Sequence, residues 1–429
     1  MVITVIGTGF VGVVSAGVFA SFGHTVYGLD VVVDKVASLN QGKVPFFEPN
    51  LEELISYGIS QGHLHFTTEY EEVIPKSSII IIAVGTPSAP DGTADLTYVL
   101  TAAEALAPYL TDKSIVAIKS TVPPGTNQKV RDMIVKHTAV EFAVASLPEF
   151  LREGSAVDDT INADRVVIGA EEEWAIDLLL TLHKPISGER IVIKPESAQM
   201  AKYSANAYLA LRITFANHIA DLCEKTGAQI EDVIQAIGCD KRIGTHYWYP
   251  GLGYGGSCFP KDVKELAAVS KKLGYKNNLL VEIDESNEAR INQKMDEYET
   301  LVGGFKGKMV AVLGLSFKPN TTDMRVAPSL KVIPYLRDKK AVVKAFDPKA
   351  NEEAKKIWPG IFFGDSIEET IHEAEVIILL VEWDEFKDMD LKVVAERASI
   401  GAWIIDTRNM LDRNKVEVAG LHYKGIGSP

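Results

Sequence analysis

The most reactive-looking stretch of the chain is Gly251-Leu-Gly-Tyr-Gly-Gly-Ser-Cys258-Phe-Pro-Lys-Asp262. Its cysteine follows four glycines and stands two residues before a proline suited to the first turn of a helix. A thiol near a helix N-terminus and beside Lys261 ionises more easily than a free one, which is the profile of a nucleophile. The flanking glycines offer no core to bury it. Cys223, inside a helical run, and Cys239 read instead as small buried apolar residues. Lys202 and Asn206 stand four apart on a helical stretch and share a face, so an ammonium and an amide can converge on one oxygen.

A second set is made of glycine. Gly7, Gly9 and Gly12 follow an apolar strand and open a helix, allowing a tight turn, backbone approach to a pyrophosphate and close packing of helix on strand. Asp30, at the end of the next strand, suits an adenosine ribose and repels a 2′-phosphate, which favours NAD over NADP. Lys35 can lie beside the cofactor's phosphates or ribose. FAD uses the same motif. A reprise at Gly314 lacks the full fingerprint, so no second dinucleotide is expected there.

These groups need a scaffold, and the hydrophobic pattern supplies one. Val2–Ile6, Thr25–Asp30, Ser78–Ala83, Ser114–Ile118, Glu141–Ala145 and Arg165–Ile168 read as strands alternating with helices, as in a parallel doubly wound sheet. From Glu196 to about Glu224 the chain is helical, with Gly227 a stop; about 29 residues would span roughly 43 Å. Further helices run from Asp262 to Lys272 and through the 280s and 290s. After Gly303-Gly304 strands return at Met309–Gly314, Ala341–Phe346, Val376–Val381 and Trp403–Asp406. The expected fold is α/β: two Rossmann-like doubly wound domains, 1–195 and 304–429, joined by a central helical domain, 196–303, with a long connecting helix.

Composition narrows the function. The 429 residues are 46% hydrophobic and 24% charged, enough for two or three packed domains. Lys plus Arg number 44 against 58 Asp plus Glu, a net charge of −14, so no basic field exists to hold nucleic acid. Anionic ligands must be captured by a few local cations and helix N-termini. Three cysteines without CxxC spacing and nine histidines without a ligand cluster indicate no metal site and a reducing, cytoplasmic setting. The uncharged run Met1–Gly23 lacks the basic start of a signal sequence, and its glycines fit a soluble turn, so no membrane association is expected.

Taken together, the motifs make the chain resemble the UDP-glucose 6-dehydrogenase family, within the wider UDP-glucose/GDP-mannose dehydrogenase superfamily. The resemblance covers nearly the full length. It rests on Gly7 to Gly12, Val84-Gly-Thr-Pro87, Lys119-Ser-Thr-Val-Pro-Pro-Gly-Thr126, Pro148-Glu-Phe-Leu-Arg-Glu-Gly-Ser155, Lys202 with Asn206, and Arg242-Ile-Gly244. The Gly253 to Asp262 loop, Gly314-Leu-Ser-Phe-Lys-Pro-Asn-Thr321 and Asp406-Thr-Arg408 complete it.

The resemblance implies oxidation of a sugar C6 alcohol to a carboxylate with two NAD⁺ and one water, without release of the aldehyde. Cys258 would form a thiohemiacetal and then a thioester. Lys202 and Asn206 would stabilise the oxyanions. Asp262, with Thr121 helping to hold a water, would manage protons, and Glu149 would be the base for thioester hydrolysis. By the same matching, Val11, Asp30, Lys35, Thr86, Thr121, Glu153, Lys261 and Arg325 would contact NAD. The UDP-sugar would fall to Glu149, Phe150, Leu151, Arg152 and Glu153, to Lys202 and Asn206, and to Lys318 and Arg408. Tyr249, Pro250, Gly251, Leu252, Gly253 and Gly255 would complete its site. Arg242 would reach a neighbouring subunit's substrate, implying a homodimer.

Two positions depart from the family pattern. Leu147 stands where Asn commonly precedes Pro-Glu, which puts one polar contact near Glu149 in question. Val326-Ala327 replaces an acidic-small pair and does the same for the support of Arg325. Rival readings are a GDP-mannose or UDP-N-acetylhexosamine dehydrogenase, a single-step β-hydroxyacid dehydrogenase, which needs no cysteine, and a non-catalytic NAD-binding sensor.

Overall fold

The computed structural model describes residues 1–276 and 279–428. The chain divides into two compact units, one of Met1–Ala205 with Ala268–Tyr275, the other of Asn206–Ala267 with the chain from Lys276 onward.

In the first unit, strands β1 (Val2–Ile6), β2 (Thr25–Leu29), β3 (Leu64–Thr67), β4 (Ile79–Ile82), β5 (Ser114–Ile118), β6 (Phe142–Ser146), β7 (Arg165–Gly169) and β8 (Glu189–Ile193) form one sheet. Their order is β3-β2-β1-β4-β5-β6-β7-β8. The central strands read as unbroken apolar runs because both faces are covered: all four isoleucines of β4 are fully buried. Helix α1 (Phe10–Ser21) follows β1 so closely that a Cβ on Gly12 would lie 1.8 Å from Gly7 O.

One strand departs from the all-parallel expectation. β7 meets β6 antiparallel, at Ser146 and Gly169, and β8 then runs parallel to β7. The segment joining β6 to β7 carries only the short helix Ala156–Ile161 and turns back at the same end of the sheet, so the next strand must run the other way.

Between the two sheets the chain is helical. Helix α2 (Pro195–Thr226) has 32 residues, about 48 Å of length, starting on a proline and ending before Gly227, whose φ of +80° closes it. Helices α3 (Phe259–Lys272) and α4 (Leu279–Leu301) follow. No helix among the described residues is long and apolar enough to cross a membrane.

In the second unit, β9 (Met309–Leu313), β10 (Val342–Phe346), β11 (Phe362–Phe363), β12 (Val376–Leu379), β13 (Trp403–Asp406) and β14 (His422–Lys424) form a parallel sheet ordered β11-β10-β9-β12-β13-β14. This repeats the order of the first six strands of the other sheet, strand for strand.

Candidate active site

The turn after β1 is built to receive a pyrophosphate. Gly7 adopts φ +91°, open to glycine and strained for other residues, and its Cβ would collide with Ala83 O at 2.8 Å. Gly9 differs: nothing lies within 4 Å of where its Cβ would be, so nothing in the protein's own packing requires a bare backbone there. It is also the N-cap of α1, with no side chain capping the first amides, while Val11 packs half-buried in the first turn. Uncapped amides and an open glycine surface are what an anionic diphosphate needs.

Asp30 locks this turn to β2. Its Oδ2 accepts from Thr8 N (2.9 Å), Thr8 Oγ1 (2.7 Å) and Lys35 Nζ (2.7 Å). Oδ1 receives a longer 3.2 Å bond from Val32 N and keeps capacity for a ribose hydroxyl. Burial alone would raise this carboxyl, but Lys35 and both Thr8 donors outweigh it and bring it down to about 2. The residues present therefore fit NAD.

A second cluster of the same unit gathers at the ends of β5 and β6. Glu149 is buried, with Oε1 2.8 Å from Lys202 Nζ and Oε2 accepting from Leu151 N at 2.9 Å. Leu147, where a polar contact was in question, belongs to the apolar core, and Glu149 is held by Lys202 and by Leu151 N. Thr121, Ser146, Gln199 and Lys202 line a void of ≈10 Å³, about the size of one water. Thr86 Oγ1 donates to Thr121 O at 2.9 Å and fixes that turn. Phe150 lies under the Arg165 guanidinium at 3.9 Å, Arg152 is bound through Asp159, and Glu153 is half-buried beside them.

Two residues of this cluster carry no role in the sequence reading. Lys119 is pushed below the ordinary lysine range by burial, with Glu149 opposing and Lys202 adding to the shift. Glu48 reaches across the fold so that Oε2 accepts from Gly154 N (2.6 Å) and Oε1 from Ala156 N (2.7 Å), fastening the 148–155 loop.

In the second unit, Cys258 is exposed immediately before the first residue of α3. Asp262 is fully buried one turn on; its Oδ2 accepts from Asn206 Nδ2 at 2.6 Å and its Oδ1 lies 2.7 Å from Lys261 Nζ. Lys261 also meets Glu265 at 3.1 Å. Burial would lower Lys261, but the two carboxylates hold it above its ordinary value. The Lys261 charge is thus balanced by two carboxylates, and the sulfur stands at the N-terminal end of α3, where the helix favours an anion.

The other cysteines separate. Cys223 is buried, which pushes its thiol up. Cys239 is exposed, against expectation, because it caps the end of the helix Ile230–Gly238 rather than lying inside it.

The glycines of the thiol loop are spent on close approach. A Cβ on Gly255 would lie 2.2 Å from Val326 O, and one on Gly256 would enter the Phe317 ring at 2.8 Å. Gly256 N also donates to Arg325 O at 3.0 Å. Val326 itself adopts φ +51°, a rare conformation for a β-branched residue. The support of Arg325, doubtful from sequence, comes from Asp323, whose two oxygens take its Nε and Nη2 at 2.9 and 2.7 Å.

Gly251 packs against Arg408, which is bidentate to Glu382 at 2.6 Å. Lys318 lies over Phe317 at 5.3 Å, Leu252 is buried, Pro250 is half-buried and Tyr249 is exposed. Arg242 is exposed, with its guanidinium on Asp240. Asn217, Asn287 and Arg290, which hold the loop's main chain, carry no role in the sequence reading. Their signal was available: Asn287 and Arg290 fall on the helical face of Ile283, Ile291 and Met295.

Comparison with known proteins agrees along the whole chain. Residues 1–187 match the NAD binding domain of the UDP-glucose/GDP-mannose dehydrogenase family, 196–289 its central domain and 311–413 its UDP binding domain. The UDP-glucose 6-dehydrogenase TuaD of Bacillus subtilis is 40% identical over all of this chain and 93% of its own length. A UDP-glucose 6-dehydrogenase of Pseudomonas aeruginosa is 39% identical, covering 100% and 98%. The solved UDP-glucose dehydrogenase of Pyrobaculum islandicum superposes with a TM-score of 0.92 at 37% identity, covering 100% and 98%.

Proposed function

The chain belongs to the UDP-glucose/GDP-mannose dehydrogenase family, and from that premise we propose that it oxidises UDP-glucose to UDP-glucuronate. Each sugar would reduce two NAD⁺ and consume one water. The Gly7–Gly12 turn and Asp30 would hold the diphosphate and ribose of NAD⁺, which when bound would supply the acceptor for both hydrides.

The chain's own residues divide the remaining work, and a division into 1–195, 196–303 and 304–429 follows these tasks. Lys318 and Arg408 take the nucleotide's diphosphate, answering the opening problem of anion capture by an acidic chain. Loss of the first hydride from C6, with the hydroxyl proton passing to the Asp262 carboxylate, leaves an aldehyde. The Cys258 sulfur adds to that carbon, and Lys202 and Asn206 donate to the oxygen that becomes negative. The tetrahedral thiohemiacetal can lose a second hydride where a free aldehyde cannot. A thioester remains; Glu149 draws a proton from water, which adds to the carbonyl, the C–S bond breaks and the thiolate returns. Asp262 accepts and returns protons beside Asn206. Arg242, exposed and tethered by its neighbour Asp240, serves the substrate of a second copy, so the catalytic unit is a homodimer.

One observation carries this reading: an exposed cysteine at a helix start, on a loop where Gly253, Gly255 and Gly256 cannot accept side chains. A panel of nucleotide sugars, with NADH counted per sugar, tests it. Two NADH with UDP-glucose supports it; preference for GDP-mannose or a UDP-N-acetylhexosamine reassigns the substrate, and one NADH reassigns the chemistry. Cys258→Ala should abolish acid formation while NAD affinity stays within about 1 kcal/mol, since the thiol is no cofactor contact. Sustained UDP-glucuronate production by that variant would overturn the mechanism.

A further inference from the structure

The main chain leading to the thiol is held from outside the loop. Asn287 on α4 donates Nδ2 to Tyr254 O at 3.0 Å and accepts from Tyr254 N through Oδ1 at 2.8 Å, as a neighbouring strand would. One turn further, Arg290 Nε donates to Gly251 O at 2.5 Å, and from α2 Asn217 Oδ1 accepts from Gly251 N at 2.7 Å. Side chains thus engage both main-chain polar groups of Gly251 and of Tyr254. Arg290 is in turn aimed by Asp221, whose Oδ2 accepts from its Nη1 at 2.7 Å.

These bonds have no slack. Gly253, between the two anchored residues, has φ +106°, and a Cβ there would lie 2.4 Å from Asn287 Oδ1. Asn287, Arg290 and Asn217 are all more than nine-tenths buried. Four residues past Tyr254 comes Cys258, with Gly255 and Gly256 wedged against Val326 and Phe317 on the way.

We propose that Asn287 and Arg290 are positioning residues for the oxidation, setting the main-chain path from Gly251 to Cys258 and with it the reach of the sulfur to the aldehyde carbon. This rests on the thioester reading above. The chemistry gives the role a signature of its own. Loss of the first hydride needs no sulfur, whereas the second requires the thiol to add before the aldehyde departs. A loop displaced by about 1 Å costs on the order of 100-fold in a step that depends on alignment. Capture then falls behind escape, and the stoichiometry drops.

Two variants probe this without emptying the site. Asn287→Asp keeps the acceptor for Tyr254 N but sets a carboxylate oxygen against Tyr254 O; Arg290→Lys keeps a charge for Asp221 but cannot serve Gly251 O as well. For each, NADH per sugar is counted, released aldehyde is trapped with hydroxylamine, and the rate of Cys258 alkylation by iodoacetamide is measured. NAD affinity reports whether the first unit is folded, and a thermal melt reports the second. The expected result is NADH per UDP-glucose falling from two toward one with trapped aldehyde appearing, while NAD affinity stays within about twofold. Simple destabilisation would lower the active fraction and leave the ratio at two. The proposal is overturned if both variants keep two NADH per sugar and release no aldehyde. If the wild-type protein itself forms no NADH with UDP-glucose, the functional reading fails, and alkylation rates decide the loop. A change of about tenfold in either variant supports the positioning role, and rates within about twofold in both overturn it.

Discussion

At the end of β1, Gly7 turns with φ +91° and donates its N–H to Leu29 O at 2.8 Å; at the end of β9, Gly314 turns with φ +96° and donates to Phe346 O at 2.9 Å. A carboxylate at the end of the adjacent strand then binds the next residues of each turn. Asp30 takes Thr8 N and Oγ1, and Asp347 takes Leu315 N, Ser316 N and Ser316 Oγ. After this shared start the turns diverge. The first enters α1 at Phe10, with its helix start bare; the second wanders through Lys318, Asp323 and Arg325 before a helix begins at Ser329. The first offers backbone amides to a ligand, and the second offers cationic side chains. Asp30 leaves Oδ1 with one long bond from Val32 N, whereas Asp347 gives Oδ1 to Lys349 N and Ala350 N and Oδ2 also to Trp383 Nε1. One strand-end carboxylate keeps acceptor capacity, which the proposed function gives to a ribose, and the other spends both oxygens on the fold.

The sharpest break of this contrast lies within the first turn. Gly12→Ala places a methyl 1.8 Å from Gly7 O, against main chain that cannot give, and should abolish NAD binding together with much of the first unit's stability. Gly9→Ala meets nothing within 4 Å and has an ordinary φ of −74°, so the fold should tolerate it with a melting temperature near wild type. Its methyl would occupy the ligand's space, weakening NAD by about tenfold, ~1.4 kcal/mol. Calorimetric titration beside a thermal melt separates the two, and equal losses of stability would show that Gly9 is structural after all.

The second test exchanges the two carboxylates' fates. Asp347→Asn turns an amide's own donors toward main-chain N–H groups in a fully buried setting, and should cost about 2–4 kcal/mol in denaturant unfolding. Asp30→Asn, which forfeits the charge-assisted lock on Lys35 and Thr8, should cost about 2 kcal/mol in stability, the low end of that range, and should also weaken NAD and narrow its advantage over NADP. If Asp30→Asn proved the more destabilising of the pair, with cofactor preference unmoved, the two carboxylates would not divide their labour in this way.

How far the sequence reveals this contrast depends on what each residue leans on. Ile79–Ile82 is legible as a strand because both of its faces are buried, and Gly7 to Gly12 because the glycines fall between a strand and a helix. The edge strands β3, β8, β11 and β14 carry no such signal. β11 has two residues, and β8 shows no buried position, so pairing partners define them and apolar pattern does not. Cys258 stands out through its glycines. Asn287 and Arg290 share a face with Ile283 and Ile291, which marks them as buried, but the main chain they hold, like that held by Glu48, shows only when the fold brings it to them.

The smallest effect is the most specific to the first turn. Because Asp30 is brought down to about 2 from an ordinary value near 3.8, its lock on Lys35 and Thr8 stabilises the fold at every pH above roughly 4 and is lost as pH falls through about 2. The shift corresponds to about 2 kcal/mol at neutral pH, of which Lys35 supplies a part and Thr8 the remainder. Lys35→Met should therefore lower unfolding stability by about 1 kcal/mol at pH 6, and the gap to wild type should close between pH 4 and pH 2 as the carboxyl protonates in both proteins. Urea titrations at stepped pH read the gap directly. A gap that persists unchanged at pH 2 would mean that Lys35 stabilises through its hydrocarbon stem, and that the carboxylate is held by Thr8 alone.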